Sequence, residues 1–216
     1  MRAMLEMMAG RVHETREGHF VGTIFVSFIG PLFPLRTMYV TSEEVSRHGN
    51  ATTVRWSGID LPLHPTSVAL GYLRVWLPIL AFVAPFALMW GESIDFGRPE
   101  WLLSVALLAL WIVALVVPGK LRGERAKQIE VLGAATGLAL DPAALERVQR
   151  AGRADVVGHE LTQHGVAIDD PTRLADAARA DVLALAYAYA RYRAVDDPAW
   201  RACASAMWSR IARDGV

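Results

Sequence analysis

Cysteine is almost missing from this chain. Cys203 is alone among 216 residues, which excludes an internal disulfide and a cysteine-based zinc knuckle. Lysine is nearly as scarce: Lys120 and Lys127 are the only two, and arginine supplies the rest of the basic charge. Neither sign of charge is in surplus, with 22 basic against 22 acidic residues. A nucleic-acid binder of this size carries a basic excess, so the balance argues against that partner. No phosphate loop, dinucleotide fingerprint or serine elbow is present, and no cofactor is implied.

What the chain has in excess is apolar residues, 53% of the total, with a mean hydropathy of +0.27. Soluble domains run nearer 45–50%, so the surplus points to membrane-embedded segments. Two runs carry it: "VALGYLRVWLPILAFVAPFALMW" from Val68 to Trp90, and "WLLSVALLALWIVALVV" from Trp101 to Val117. At about 1.5 Å of rise per residue, roughly 17 to 20 apolar residues cross a hydrocarbon core. Both runs are therefore expected to span, as a transmembrane helical hairpin at 67–90 and 101–117. They contain no Asp, Glu or His, which argues against proton- or ion-coupled transport through this chain alone.

Trp90 and Trp101 bracket the linker like an aromatic belt, and Tyr72, Arg74 and Trp76 cluster at the other end of the first run. There the Arg74 guanidinium can snorkel to the headgroups. Pro78 and Pro85 free the carbonyls of Arg74 and Ala81, so that face of the helix needs a packing partner. Arginine and lysine follow the second run ("PGKLRGERAKQ"), whereas the linker "GESIDFGRPE" is mainly acidic. Residues 1–19 contain no signal-peptide core. The expected topology is multi-pass in a bacterial cytoplasmic membrane, both termini cytoplasmic.

The stretch "GHFVGTIFVSFIGPLFPLRTMYV" is also greasy, but Phe20 to Leu35 is short for a span. Gly22, Gly30, Pro31 and Pro34 disfavour a helix. Its β-branched and aromatic residues predict a strand, with "GPLFP" as a turn. Two further strands are expected in "LRTMYVTSEE" and "ATTVRWSGIDLPL", separated by a Gly49-Asn50 turn. Together they predict a three-stranded antiparallel sheet with one greasy face on the membrane surface or the first span. This pattern, leading through "LPLHPTSVALGYL" into a span, resembles uncharacterised bacterial membrane proteins with a "PLFPL"-type β-hairpin ahead of a transmembrane helical hairpin. The resemblance covers residues 18–118 and brings no activity or site residue with it.

Residues 119–216 have a soluble composition, with 14 basic and 13 acidic side chains. Asp141-Pro142, Asp170-Pro171 and Asp197-Pro198 each read as a helix start, Asp capping and Pro at the first helical position. Helices are expected over 120–136, 142–164 with a break near Gly152, 171–194 and 198–213. Trp200, Cys203, Ala204, Met207, Trp208 and Ile211 form the core stripe of the last. The fold class is thus an α+β integral membrane protein: a β-rich unit at 1–66, the helical hairpin at 67–118, and a cytosolic helical bundle at 119–216.

The chemistry-bearing residues are few. "HELTQH" places His159 and His164 five apart, not the four that puts two zinc ligands on one helix face. His13, Glu14 and His19 lie in a mixed polar stretch that specifies no metal site. Cys203 lies on the core stripe and reads as a small buried hydrophobe. No catalytic residue is assigned. The function expected is an inner-membrane anchoring or interaction protein, its partners the lipid bilayer and a protein or a second copy of itself. The alternative is a subunit of a membrane-bound enzyme or transporter with a lipid-phosphate or anion site at headgroup level. Arg74, Arg55 and Trp76 would be its headgroup contacts, with His64 and Asp60 nearby.

Overall fold

A computed structural model describes residues 5–15, 17–28, 30–48, 51–88, 100–116 and 121–214. The chain forms two compact units, Met1–Leu121 and Arg122–Val216.

The first unit opens with four antiparallel strands in sequence order: β1 (Leu5–Val12), β2 (Phe20–Ser27), β3 (Pro31–His48) and β4 (Ala51–Leu61). Helices α1 (Pro65–Leu88) and α2 (Glu100–Val116) follow. The sheet has four strands, not three: "LEMMAGRV" pairs along β2 from Leu5↔Ser27 to Val12↔Val21. "PLFP" is strand, not turn, with Pro31 opposite Ser27 and Pro34 opposite Phe25. Prolines are tolerated there for two reasons. The register between β2 and β3 slips at that point, and β3 meets β4 only from Thr37 onward. Pro31 to Arg36 thus lack a ladder on their second side, where a missing N–H costs no bond. The expected turn at Gly49-Asn50 lies outside the described residues; its flanks, His48 and Ala51, are register partners.

β2 is buried along most of its length, on both faces. On one face Phe20, Ile24, Met38 and Val40 cluster, with Met8 and Trp56 packed against them. The other face carries Thr23 and Phe25, and α1 covers it.

The transmembrane hairpin requires correction. Among the described residues, α1 is the one helix long and apolar enough to cross a membrane. At 17 residues, α2 reaches about 25 Å, short of a hydrocarbon core near 30 Å. The multi-pass topology and the orientation drawn from it lose their basis. The fold is α+β, with this sheet and seven α-helices among the described residues.

The second unit is helical: α3 (Gly123–Thr136), a short 3-10 turn (Pro142–Ala144), α4 (Arg147–Gln163), α5 (Pro171–Ala177), α6 (Leu183–Arg193) and α7 (Ala199–Asp214). Two expected helices are broken. The one over 142–164 breaks at Leu145–Glu146, where extended backbone leads into a capping box between Glu146 and Gln149, and not at Gly152. The one over 171–194 ends α5 at an extended Ala178 and restarts at Leu183. Each Asp-Pro aspartate caps as its chemistry requires: Asp141 accepts from Ala143 N, Asp170 from Thr172 N and Arg173 N, Asp197 from Ala199 N. Gly137 closes α3 in the left-handed conformation, its N–H donating to Gly133 O. The α7 stripe is buried throughout, Cys203 included, and burial pushes the Cys203 thiol up.

These caps give the second unit an acid sensitivity of definite sign. The backbone N–H groups of Thr172 and Arg173 hold the Asp170 carboxyl below its usual range, and the Arg150 bond does the same for Asp196. A depressed carboxyl contributes stability above its unfolded pKa, near 3.8, and loses it as pH falls through the lower folded value. Protection of the amides at the start of α5, relative to their intrinsic exchange rates, should therefore fall below about pH 4. In Asp170→Ala it should already be low at pH 7. A protection factor unchanged from pH 7 to pH 3 in the native protein would contradict this.

Candidate functional site

The most elaborate polar arrangement in the first unit lies where α1 enters the sheet. Thr23, Thr37 and Ser67 are all 0% exposed. Ser67 Oγ donates to Gly10 O at 2.7 Å, which commits its single proton. Thr23 Oγ1, 2.8 Å away, must then donate to Ser67. Thr37 Oγ1 must in turn donate to Thr23, at 2.9 Å, and it accepts from the His64 N–H at 3.1 Å. The result is a one-way chain from His64 N–H through three hydroxyls to the Gly10 carbonyl, each bond polarising the next.

This geometry decides what Ser67 and His64 can do. Ser67 N donates to His64 Nδ1 at 3.3 Å, so the imidazole caps the helix. Burial lowers the His64 pKa, which keeps that nitrogen an acceptor. The hydroxyl faces a carbonyl, not a base. The pair is a helix dock, not a nucleophile and its base. Among the described residues no three His, Cys, Asp or Glu side chains converge on a metal position.

Further along α1 the docking continues. Gly71 lets the helix approach the Phe25 ring, Tyr72 Oη donates to Leu32 O at 2.7 Å, and Trp76 Nε1 donates to Pro31 O at 3.1 Å. Arg74 Nε donates to Ala114 O and Nη1 to Arg11 O, both at 3.0 Å. The Arg74 carbonyl, left without a helical partner by Pro78, accepts from Trp111 Nε1 at 2.9 Å. The shelter that the prolines demand is thus supplied in part by one tryptophan of α2.

The sequence-predicted site residues do not converge on one point. Trp76 and Arg74 are both half-buried and bound to backbone carbonyls. Arg55 is exposed on β4 opposite Glu44, and Asp60 is an ion-pair partner of Arg36 at 3.6 Å. The Thr23–Thr37–Ser67 chain had no signal in the sequence, since its members stand 14 and 44 residues apart.

Beyond Trp76 an apolar surface begins. Leu80, Phe82, Val83, Phe86 and Leu88 of α1 are exposed, and the most apolar 18-residue window of this helix is only 28% buried. The core helix of a soluble domain would be mostly covered. On α2, Trp101, Ser104, Leu107, Trp111 and Ala114 are the covered positions, one narrow stripe, while Leu102, Val105, Ile112 and Val116 are open. At the tip of the β2–β3 hairpin, Phe28 is 83% and Phe33 69% exposed. That tip is the segment Tyr72 and Trp76 hold against α1.

No family model, curated protein or solved structure matches this chain.

Proposed function

We propose that the chain is a membrane-anchored interaction protein of the bacterial cytoplasmic membrane. Its first unit engages the bilayer through α1 and the neighbouring apolar surface, and it works by binding a protein partner or a second copy of itself. One observation carries the reading: a 24-residue helix whose apolar side chains are left open by its own fold. An open apolar surface of this extent is costly in water, at roughly 25 cal/mol per Å². Phe28, Leu32, Phe33 and Leu35 at the hairpin tip are exposed apolar side chains as well. The reading of Arg74 as a lipid-phosphate ligand gains no comparable support, because two of its nitrogens are already bound to carbonyls.

The full chain should sediment with membranes and resist extraction by alkaline carbonate. Affinity purification after gentle solubilisation should then bring down a stoichiometric protein or a second copy. Recovery of the intact chain in a detergent-free supernatant after high-speed centrifugation would sink the proposal.

A further inference from the structure

One residue holds both the entry of α1 and the start of the hydroxyl chain, and its side chain titrates near neutrality. The His64 carbonyl accepts from Val68 N at 3.0 Å, its N–H donates to Thr37 Oγ1, and its ring accepts from Ser67 N through Nδ1. Pro65, at the first helical position, brings no N–H of its own, so the Ser67 amide is one of the few first-turn donors that needs an acceptor. A Ser, Thr or Asn cap would supply one at neutral and mildly acid pH alike. An imidazole does so only while Nδ1 is unprotonated.

A second imidazole stands against the first. The ring of His13, from the connection between β1 and β2, lies edge-on to that of His64, with centroids 5.5 Å apart. Both side chains are half-buried. Among the described residues His13 is the one non-glycine residue with a positive φ, 55°. A side-chain-bearing residue pays for that backbone, and it persists where the surrounding structure holds it. The charged groups on the adjoining elements are engaged elsewhere or exposed. Arg11 of β1 pairs with Glu43 at 3.1 Å, Arg36 of β3 pairs with Asp60 of β4 at 3.6 Å, Arg74 of α1 donates to two carbonyls, and Glu14 beside His13 is exposed. A proton on His64 therefore meets three opposing effects. It sets a donor against the Ser67 N–H, it adds charge at the positive end of α1, and it crowds a second ring that titrates in the same range.

We propose that His13 and His64 form a pH switch at the base of α1, in which a proton on His64 Nδ1 turns the cap from acceptor to donor and releases the entry of the helix from the sheet. The Ser67 N–H loses its acceptor, and the backbone that brings Ser67 Oγ to Gly10 O loosens with it. Burial lowers the His64 pKa, and this fixes the sign. The dock is at full strength above the unfolded value, near 6.5, and weakens as pH falls through the lower folded value. Because α1 carries the open apolar surface, mild acid changes how firmly that surface is held on the sheet. The switch does not depend on what the surface binds.

The test is amide exchange of the full-length protein in detergent micelles, read as protection relative to intrinsic rates, together with the ring-nitrogen NMR signals of His64. Between about pH 7.5 and about pH 5.5, protection at Ser67 should fall about tenfold, with the midpoint at which His64 Nδ1 takes up its proton. Protection at the start of α5, whose Asp170 cap titrates lower, should not change in that window. His64→Asn keeps an acceptor that does not titrate, so protection at Ser67 should match the native protein at the higher pH and hold at the lower. His13→Asn, a residue that tolerates the left-handed backbone, should keep the fall but move it to higher pH. The proposal is overturned by constant protection at Ser67 in the native protein, by a midpoint that differs from that of His64, by the same fall in His64→Asn, or by a fall that is lost or unmoved in His13→Asn.

Discussion

Gly10→Ala should detach α1 from the sheet at a cost of about 4 kcal/mol or more. Gly10 sits in the β1 bulge with φ +71°, where the register between β1 and β2 slips between Ala9 and Val12. A Cβ there would lie 1.8 Å from the carbonyl oxygen of Ser67 and 3.0 Å from Gly71 N. Both neighbours are backbone, so no rotamer change relieves the clash. Separation of the two elements breaks the Ser67–Gly10 bond, and with its terminal acceptor gone the chain through Thr23 and Thr37 loses its direction. Gly18 is the control, because it is also left-handed at φ +83° but a methyl group there would meet nothing within 4 Å. Gly18→Ala should cost only the backbone strain, about 1 kcal/mol. Denaturant unfolding with amide exchange on β1 measures both, and equal losses at the two glycines would refute the close-approach argument.

Arg150→Met should be the most damaging single change in the helical unit, at about 2–4 kcal/mol. Arg150 is 7% exposed and its guanidinium closes three connections at once. Nε and Nη2 form a fork on Asp196 at 3.1 and 2.9 Å, while Nη1 donates to Leu145 O at 2.8 Å and Pro142 O at 3.4 Å. Methionine fills a similar volume, so the loss reports on the abandoned carbonyls more than on a cavity. Asp196 itself is half-exposed and rehydrates. Arg150→Lys should recover little, since one ammonium cannot serve a fork and two carbonyls together. Unfolding free energies of the two variants decide it; a methionine variant as stable as the native protein would show that the network is neutral.

The helical unit is the more legible half of the sequence because its signals are local. An Asp-Pro step carries both the cap and the fixed φ within two residues, and a three-four stripe from Trp200 to Ile211 needs only one helix to be read. Its breaks are harder to see. Glu146 caps α4 without a proline beside it, and Ala178 ends α5 in the middle of an alanine-rich run that favours helix throughout. In the first unit β1 gives no clear signal, because "LEMMAGRV" mixes charge with methionine and lacks β-branched residues until Val12. The prolines of "PLFP" read as a turn because the relief that admits them, an open side until Thr37, is a property of pairing and not of the segment. The prolines of α1 do reveal that the Arg74 carbonyl needs a partner, but not that Trp111 is one.

The length of β3 gives it leverage. Its 18 residues span roughly 55 Å at 3.3 Å each, and the two ends differ in polarity. Pro31 to Leu35 is greasy, while Thr41 to Arg47 is exposed on both faces and pairs with β4 alone. If the first end is fixed at the lipid boundary, the second becomes the far end of a lever. A small tilt at the bilayer would be magnified into a swing of several ångströms where Glu43, Glu44 and Arg47 meet water.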